Sequence, residues 1–531
     1  VSTLAGTGRL VRLILRRDRV RLPLWLVGLG GVILASAASL PPVYPDQAAI
    51  DQYVALFGDN PALVAFAGPG YGFDDPNIGV ILVNETQLWA CLGLALMSIF
   101  LLNRHTRAEE DDERTDLLRS SVVGRHAPTA AAVAVVGAAN VGLGAVLALG
   151  FVALDYPAVG SIALAASMAA CGLAFTGVAA VAAQLAGSGR ATLGLASAAL
   201  GIAFLVRALG DIGDNRVRWL SPIGWAMGVR AFAGERWWPL AGCLVLAVGL
   251  VVGAFWLSTR RDPGAGMLPT RPGPARADRG LLRPLGLALR LQRGPVIGWS
   301  VGLFVTGVVY GSIGEDIEQM IEDNPAFADI LAQAGGASLT DSFFAAALLQ
   351  LGLLGSGYAI SAVLRPRTEE NAGRAESLLA GPVSRTRWAG GHLAVALAGT
   401  VLVLASGGFG TGLAYAAVSS DAGQVARLTA ASLVALPAVL VLGGVAVALF
   451  GWLPRLALAA WGALAVAVGV GFFGELLRLP AWARGISPFH HLPAVPAEDL
   501  GVLPLVVVTA LAAVLVATGL WGLRRRDVGA T

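Results

Sequence analysis

Apolar runs of about 20 residues recur from one end of this chain to the other, the length an α-helix needs to cross a bilayer. They fall at roughly 22–41, 80–103, 129–153, 159–186, 192–209 and 238–258, then at 296–314, 342–364, 392–417, 428–453, 456–474 and 501–523. Only 13% of the 531 residues are charged and mean hydropathy is +0.71, values far from those of a soluble globular domain. The expected fold is an all-α membrane protein of about 12 transmembrane helices, arranged as two six-helix halves.

Charge sets the expected orientation. All 37 Lys/Arg positions are arginine. With both termini inside, 29 of them fall on the inner side: the N-terminal arm, Arg104 to Arg125, Arg190, Arg260 to Arg293, Arg365 to Arg387, Arg455 and Arg524 to Arg526. That asymmetry matches the positive-inside rule and predicts a multi-pass plasma-membrane protein with cytoplasmic termini. The Arg, Ala and Gly bias points to a GC-rich genome. A basic arm before an apolar run ending near Ala35-Ser36-Ala37 has the outline of a cleaved signal. The same outline recurs internally, with Arg290 and Arg293 before Val296, so 22–40 is read as the first spanning helix.

Absent residue types exclude several chemistries. A nucleotide-binding P-loop ends in Gly-Lys-Ser/Thr, and a chain without lysine holds none. Schiff-base chemistry on lysine is excluded with it. Cys91, Cys171 and Cys243 lie inside apolar runs, without metal-ligand spacing, and read as small buried hydrophobes. The five histidines form no His-Glu-x-x-His pattern. No catalytic residue, metal or cofactor is expected on the chain itself.

Two charged loops, 260 residues apart, repeat one pattern without a gap. Arg107, Glu109, Glu110, Arg114, Leu118, Val123 and Arg125 recur as Arg367, Glu369, Glu370, Arg374, Leu378, Val383 and Arg385, and Asp116 is matched by Glu376. The repeat extends further. Asp59-Asn60-Pro61-Ala62 recurs as Asp323-Asn324-Pro325-Ala326, Ser221-Pro222 as Ser487-Pro488, and Arg261-Asp262 as Arg526-Asp527. The Asn-Pro pairs favour helix starts, so short outer helices are expected there. A parallel duplication follows, with halves at 1–262 and 285–531 about a pseudo-two-fold axis along the membrane normal. Between them, 263–284 reads as a Pro-, Gly- and Arg-rich cytoplasmic linker. An amphipathic elbow helix in the headgroup plane is expected before each half, in the first from Leu10, Leu13 and Ile14 among Arg9, Arg12 and Arg16.

A single loop of this kind can be a solvated connector, with Glu110–Arg114 and Glu370–Arg374 paired at helical spacing. Two matched copies on one side favour a two-fold docking surface. Its charges would set register, and Leu118 and Leu378 would supply apolar anchors.

These features resemble ABC exporter permeases of the second class, the ABCG-like or type V fold. The likeness rests on six helices per half, the elbow, the long loop between the second and third helices, and Ser-Pro before the sixth. The stretch Glu369-Glu370 through Arg374, then Glu376-Ser377-Leu378-Leu379-Ala380-Gly381-Pro382-Val383-Ser384-Arg385, is similar to that family's coupling-helix signature. The resemblance covers nearly the whole chain, and the fused form is similar to actinobacterial polyketide-antibiotic (tetronasin-type) exporters. The first copy departs from the signature, with Val122 where the second has Pro382.

The resemblance implies a permease subunit, not an enzyme by itself, that moves hydrophobic or amphipathic compounds such as antibiotics out of the cell. It implies two copies of a separate soluble ABC ATPase, which would carry the ATP and Mg and dock on the two loops through short cytoplasmic coupling helices. It also implies a pathway between the second and fifth helices of each half, at Asn84, Gln87, Trp89, Phe204, Phe344, Gln350 and Phe472. An exporter of lipid or another envelope component is an alternative. A secondary transporter of the major facilitator kind is another, but would couple through intramembrane acids or histidines, and the centres of these runs are nearly free of charge. Arg207 and Glu475, near the outer ends of the fifth and eleventh runs, are read either as a pair that closes an outer gate or as side chains that snorkel to the outer interface.

Overall fold

The structure, a computed structural model, describes the chain except residues 1–2, 58–63, 65–66, 113–122, 214–215, 263, 269–275, 277–278, 315–338, 474–479 and 528–531. Among the described residues every regular element is a helix. Among the same described residues, twelve helices are long and apolar enough to cross a membrane. A bilayer core offers no water to peptide groups, and a helix satisfies them within its own segment.

Six spans lie in the compact unit Val1–Gly273 and six in the unit Pro274–Thr531. The first six are Arg21–Val43, Ile78–Asp111, Ala127–Ala153, Ala158–Leu185, Gly189–Ile212 and Trp238–Thr259. The second six are Pro284–Ser312, Thr340–Asn371, Arg385–Ser419, Gly423–Trp452, Pro454–Gly471 and Val502–Arg525. Several run past the apolar stretch that announced them, into polar turns such as Arg107–Asp111 and Arg365–Asn371.

In the first unit the fourth span is central, packed on the second, third, fifth and sixth. Half of its residues are Ala or Gly, and small residues let helix backbones approach closely in a membrane. The sixth span, at the periphery, is only 17% buried in its most apolar window.

The elbow forms in the first unit as Thr7–Arg17. Leu10 and Ile14 are buried against Ala127, Ala131 and Val135 of the third span, while Arg9, Arg12 and Arg16 stay exposed. The helix breaks at Asp18, whose carboxylate accepts from Arg104 Nε (3.1 Å) and pairs with His105 Nε2 (2.5 Å). The second unit differs from expectation: its basic stretch is continuous with the span Pro284–Ser312, with Pro295 inside one helix. The tenth span is two helices, Gly423–Leu433 and Leu436–Trp452, interrupted just before Pro437. Proline fits the first turn of a helix, where its missing N–H has no intrahelical partner to lose.

The tenth and twelfth spans meet backbone to backbone. A Cβ on Gly451 would stand 2.0 Å from the Gly519 carbonyl oxygen, and one on Gly519 2.5 Å from that of Val447. Trp452 Nε1 donates to the Thr518 carbonyl (3.0 Å) across the same contact. Of the repeated outer motifs, Ser221 caps the helix Pro222–Met227, its Oγ accepting from Ile223 N–H (3.2 Å). Both Asn-Pro pairs lie outside the described residues.

Candidate functional site

The second-unit loop leaves the eighth span as the helical turn Arg365–Asn371, reverses at Gly373 (φ 69°) and forms the short helix Arg374–Leu379. Ser384 then caps the ninth span by accepting from Arg387 N–H (3.2 Å). Glycine at the reversal avoids the steric cost of a left-handed backbone. Glu369 accepts from Arg374 Nε (2.6 Å) and also pairs with Arg365 (2.9 Å). That hydrogen bond raises the Arg374 pKa above its ordinary value.

Glu370 is buried and turns the other way. Both its oxygens accept from Arg526, Nη1 and Nη2 each at 2.6 Å, where the chain leaves the last span. Arg385 Nη1 donates to the Arg526 carbonyl (2.5 Å), and the Arg526 guanidinium lies over the Phe450 ring.

The tip of the loop is open. Glu376 and Ser377 are exposed, and the Arg374 side chain is 54% exposed despite its pair with Glu369. Leu378 packs partly against its own unit's core together with Leu379 and Val383. Arg367 is half-buried.

In the first unit the matching residues hold the same geometry. Glu110 accepts from Arg261 Nη2 (2.6 Å) and Nη1 (2.9 Å), and Arg125 Nη2 donates to the carbonyls of Ser258 (2.6 Å) and Arg261 (3.2 Å). Further bonds surround this set. The buried Arg107 donates to Glu110 (2.6 Å) and to the Gly264 carbonyl (2.8 Å), and Arg261 Nε donates to Gln184 (2.8 Å). Glu109 pairs with Arg17 of the elbow (2.8 Å), and Asp111 accepts from Gly189 N–H at the start of the fifth span (2.6 Å). The bond to Glu109 raises the Arg17 pKa. Arg114, Asp116 and Leu118 lie outside the described residues.

The structure thus separates two roles within one sequence pattern. Glu110, Glu370, Arg107, Arg125 and Arg385 hold each loop to its own unit. Arg374 and Glu376 are exposed, and Arg367 is partly covered. Sequence reasoning noted the repeat of Arg261 and Arg526 but gave neither a role. The only signal was that each follows the last apolar run of its half.

Comparison with known proteins bears on the whole chain. Residues 281–524 match the family described as "Multidrug efflux system permease Rv1217c, C-terminal domain". The "Multidrug efflux system permease protein Rv1217c" of Mycobacterium tuberculosis is 41% identical over 531 residues, covering 99% of this chain and 96% of the relative. This chain belongs to that permease family. It is a multi-pass membrane permease, a transport component.

Within the permease, the residues expected along a pathway divide by environment. Asn84 accepts from the Tyr53 hydroxyl (2.8 Å), and Gln87 donates to Ser167 Oγ (2.8 Å) and the Ala226 carbonyl (3.0 Å), all buried inside the first unit. Phe344 is fully buried beside Tyr415 and Phe343, and Gln350 accepts from the Tyr310 hydroxyl. Trp89 is 51% exposed on its unit's surface. Phe204 is half-buried beneath the Arg207 guanidinium. The side chain of Phe472 lies outside the described residues.

Arg207 itself is buried and pairs with Asp211 (3.3 Å), one turn away. Asp211 also faces Arg218 (3.6 Å), whose Nη1 donates to the Tyr71 hydroxyl (2.7 Å). Glu475 lies outside the described residues.

This division makes a prediction. Gln87→Ala removes two buried hydrogen bonds and should cost about 1–2 kcal/mol, lowering export of all substrates together. Trp89→Ala should leave the melting temperature nearly unchanged and alter the substrate profile. Thermal stability measured beside a panel of exported dyes checks both. A selective change at Gln87 and a uniform one at Trp89 would reverse the assignment.

Proposed function

We propose that this permease is the membrane subunit of an ATP-driven exporter of hydrophobic or amphipathic compounds, drugs among them. Two copies of a separate ABC ATPase would dock on its two repeated loops. The relative's name supports drug efflux, and the resemblance to second-class ABC permeases supports an ATPase partner. One observation carries the docking assignment. In the second loop, buried charges fix the base to the permease while Arg374, Glu376 and Ser377 stand exposed at the tip. A solvated connector does not require a base clamped by a buried bidentate ion pair. A helix that must press on a partner does, because a loose base would absorb the partner's motion. The ABCG-like fold, the inward termini and an actinobacterial origin belong to the same reading.

The exposed tip gives the test. Arg374→Glu combined with Glu376→Arg should lower capture of the ATPase and dye export at least tenfold, with the amount of permease in the membrane unchanged. Exposed charges set association rate and specificity more than stability. Export at the wild-type level from this double variant would remove the docking role. The purified chain alone should hydrolyse no ATP.

A further inference from the structure

Arg261 and Arg526 follow the last span of their respective units, and each holds the base of a docking loop from there. We propose that they are positioning residues that tie the last span of each half to its docking loop. A displacement imposed on the loop then reaches the sixth and twelfth spans as well as the two spans that the loop joins. This rests on the loops being where an ATPase docks.

The same three-residue arrangement occurs in both units. One glutamate at the start of the loop, Glu110 or Glu370, accepts two N–H bonds from one guanidinium. One arginine at the far end of the loop, Arg125 or Arg385, donates to the main-chain carbonyl of that same guanidinium-bearing residue. The second span, the third span and the end of the sixth are thereby joined at one point, and so are their counterparts in the second unit.

The chemistry suits transmission. A bidentate fork fixes angle as well as distance, which a single ammonium cannot do. The carbonyl that accepts from Arg385 lies at a helix end, where main-chain oxygens lack intrahelical partners and carry partial negative charge. The side chains of Glu370 and Arg526 are 1% and 13% exposed, so water screens the pair little. The neighbours are partly shared and partly different: the preceding arginine lies over a tryptophan in both units, Arg260 on Trp256 and Arg525 on Trp521, while the first adds bonds from Arg107 and to Gln184 and the second the ring of Phe450. The tie is among the features that the duplication kept.

The test uses the full chain in a host membrane with the ATPase that copurifies with it. ATPase capture, ATP hydrolysis and ethidium export are measured together. Glu370→Gln, Arg526→Gln and Arg385→Gln should each keep capture within twofold of wild type and continue to hydrolyse ATP, while export falls at least tenfold. Arg526→Lys keeps the charge without the fork and should lie between. The exchange Glu370→Arg with Arg526→Glu should recover at least a third of export. A purely structural role would lower capture, hydrolysis and export in parallel, and that result overturns the proposal. So does wild-type export from the single variants, or an exchange no better than the worse single. If Glu370→Gln does not accumulate in the membrane, Arg385→Gln decides alone, because it leaves the ion pair intact. A wild-type chain that captures no ATPase overturns the docking assignment itself, a failure visible before any variant is made.

Discussion

Alanine at Glu110 should destabilise the folded permease by about 3 kcal/mol, because removing one partner of a buried ion pair leaves the other charges uncompensated. Two guanidinium groups lose a close carboxylate at once, and Arg107 is left with Asp111 at 3.9 Å. Arg107 has a side chain that is 0% exposed and Arg261 one that is 8% exposed, so neither can turn to water without moving main chain. Such a loss lowers the thermal midpoint of detergent-purified protein and its amount in the membrane. Glu376→Ala, an exposed position in the second loop, should stay within about 0.5 kcal/mol of wild type. Thermal unfolding of the two variants side by side is the measurement. Equal midpoints would show that Glu110 is no more than a solvated surface charge.

Leucine at Gly451 should be at least as damaging, for a steric reason. The first atom of the new side chain would fall 2.0 Å from the main-chain oxygen of Gly519, and backbone cannot swing aside as a flexible side chain can. The tenth and twelfth spans must therefore separate. Packing between helices in lipid is held by close van der Waals contact, so separation forfeits what joins them. A loss of about 3 kcal/mol or more is expected, at the upper end for an overpacked site. Gly249→Leu in the sixth span is the control, since a Cβ there meets nothing within 4 Å. Membrane content and resistance to denaturing detergent compare the two. The Gly451 variant carries a second expectation: it moves the end of the twelfth span, so the Arg526–Glu370 bonds should be strained with it.

Much of the candidate site was visible as pattern and little of it as geometry. The ungapped match of Arg107 to Arg125 with Arg367 to Arg385 located both loops. Spacing alone pointed to Glu110–Arg114 and Glu370–Arg374 as helical pairs. In the second unit Arg374 instead pairs with Glu369, and Glu370 reaches Arg526, 156 residues away. No local period encodes that contact. Leu378 shows the same limit: it read as an anchor for a partner, and it packs partly against its own unit's core. Asn84 and Gln87 read as pathway polar groups, and they bond to Tyr53, Ser167 and Ala226 within the first unit.

What the sequence determined by itself is the set of spans and their duplication. The spans follow from transfer of side chains and peptide groups into a medium without water, a sum over neighbouring residues that needs no knowledge of the rest of the chain, and the duplication follows from the ungapped match of the two charged loops. Only the tertiary structure decided which charges are buried and whom they face. Burial of a charge depends on what covers it, and the groups covering Glu110 and Glu370 come from the far ends of their halves, brought there by the packing of six helices.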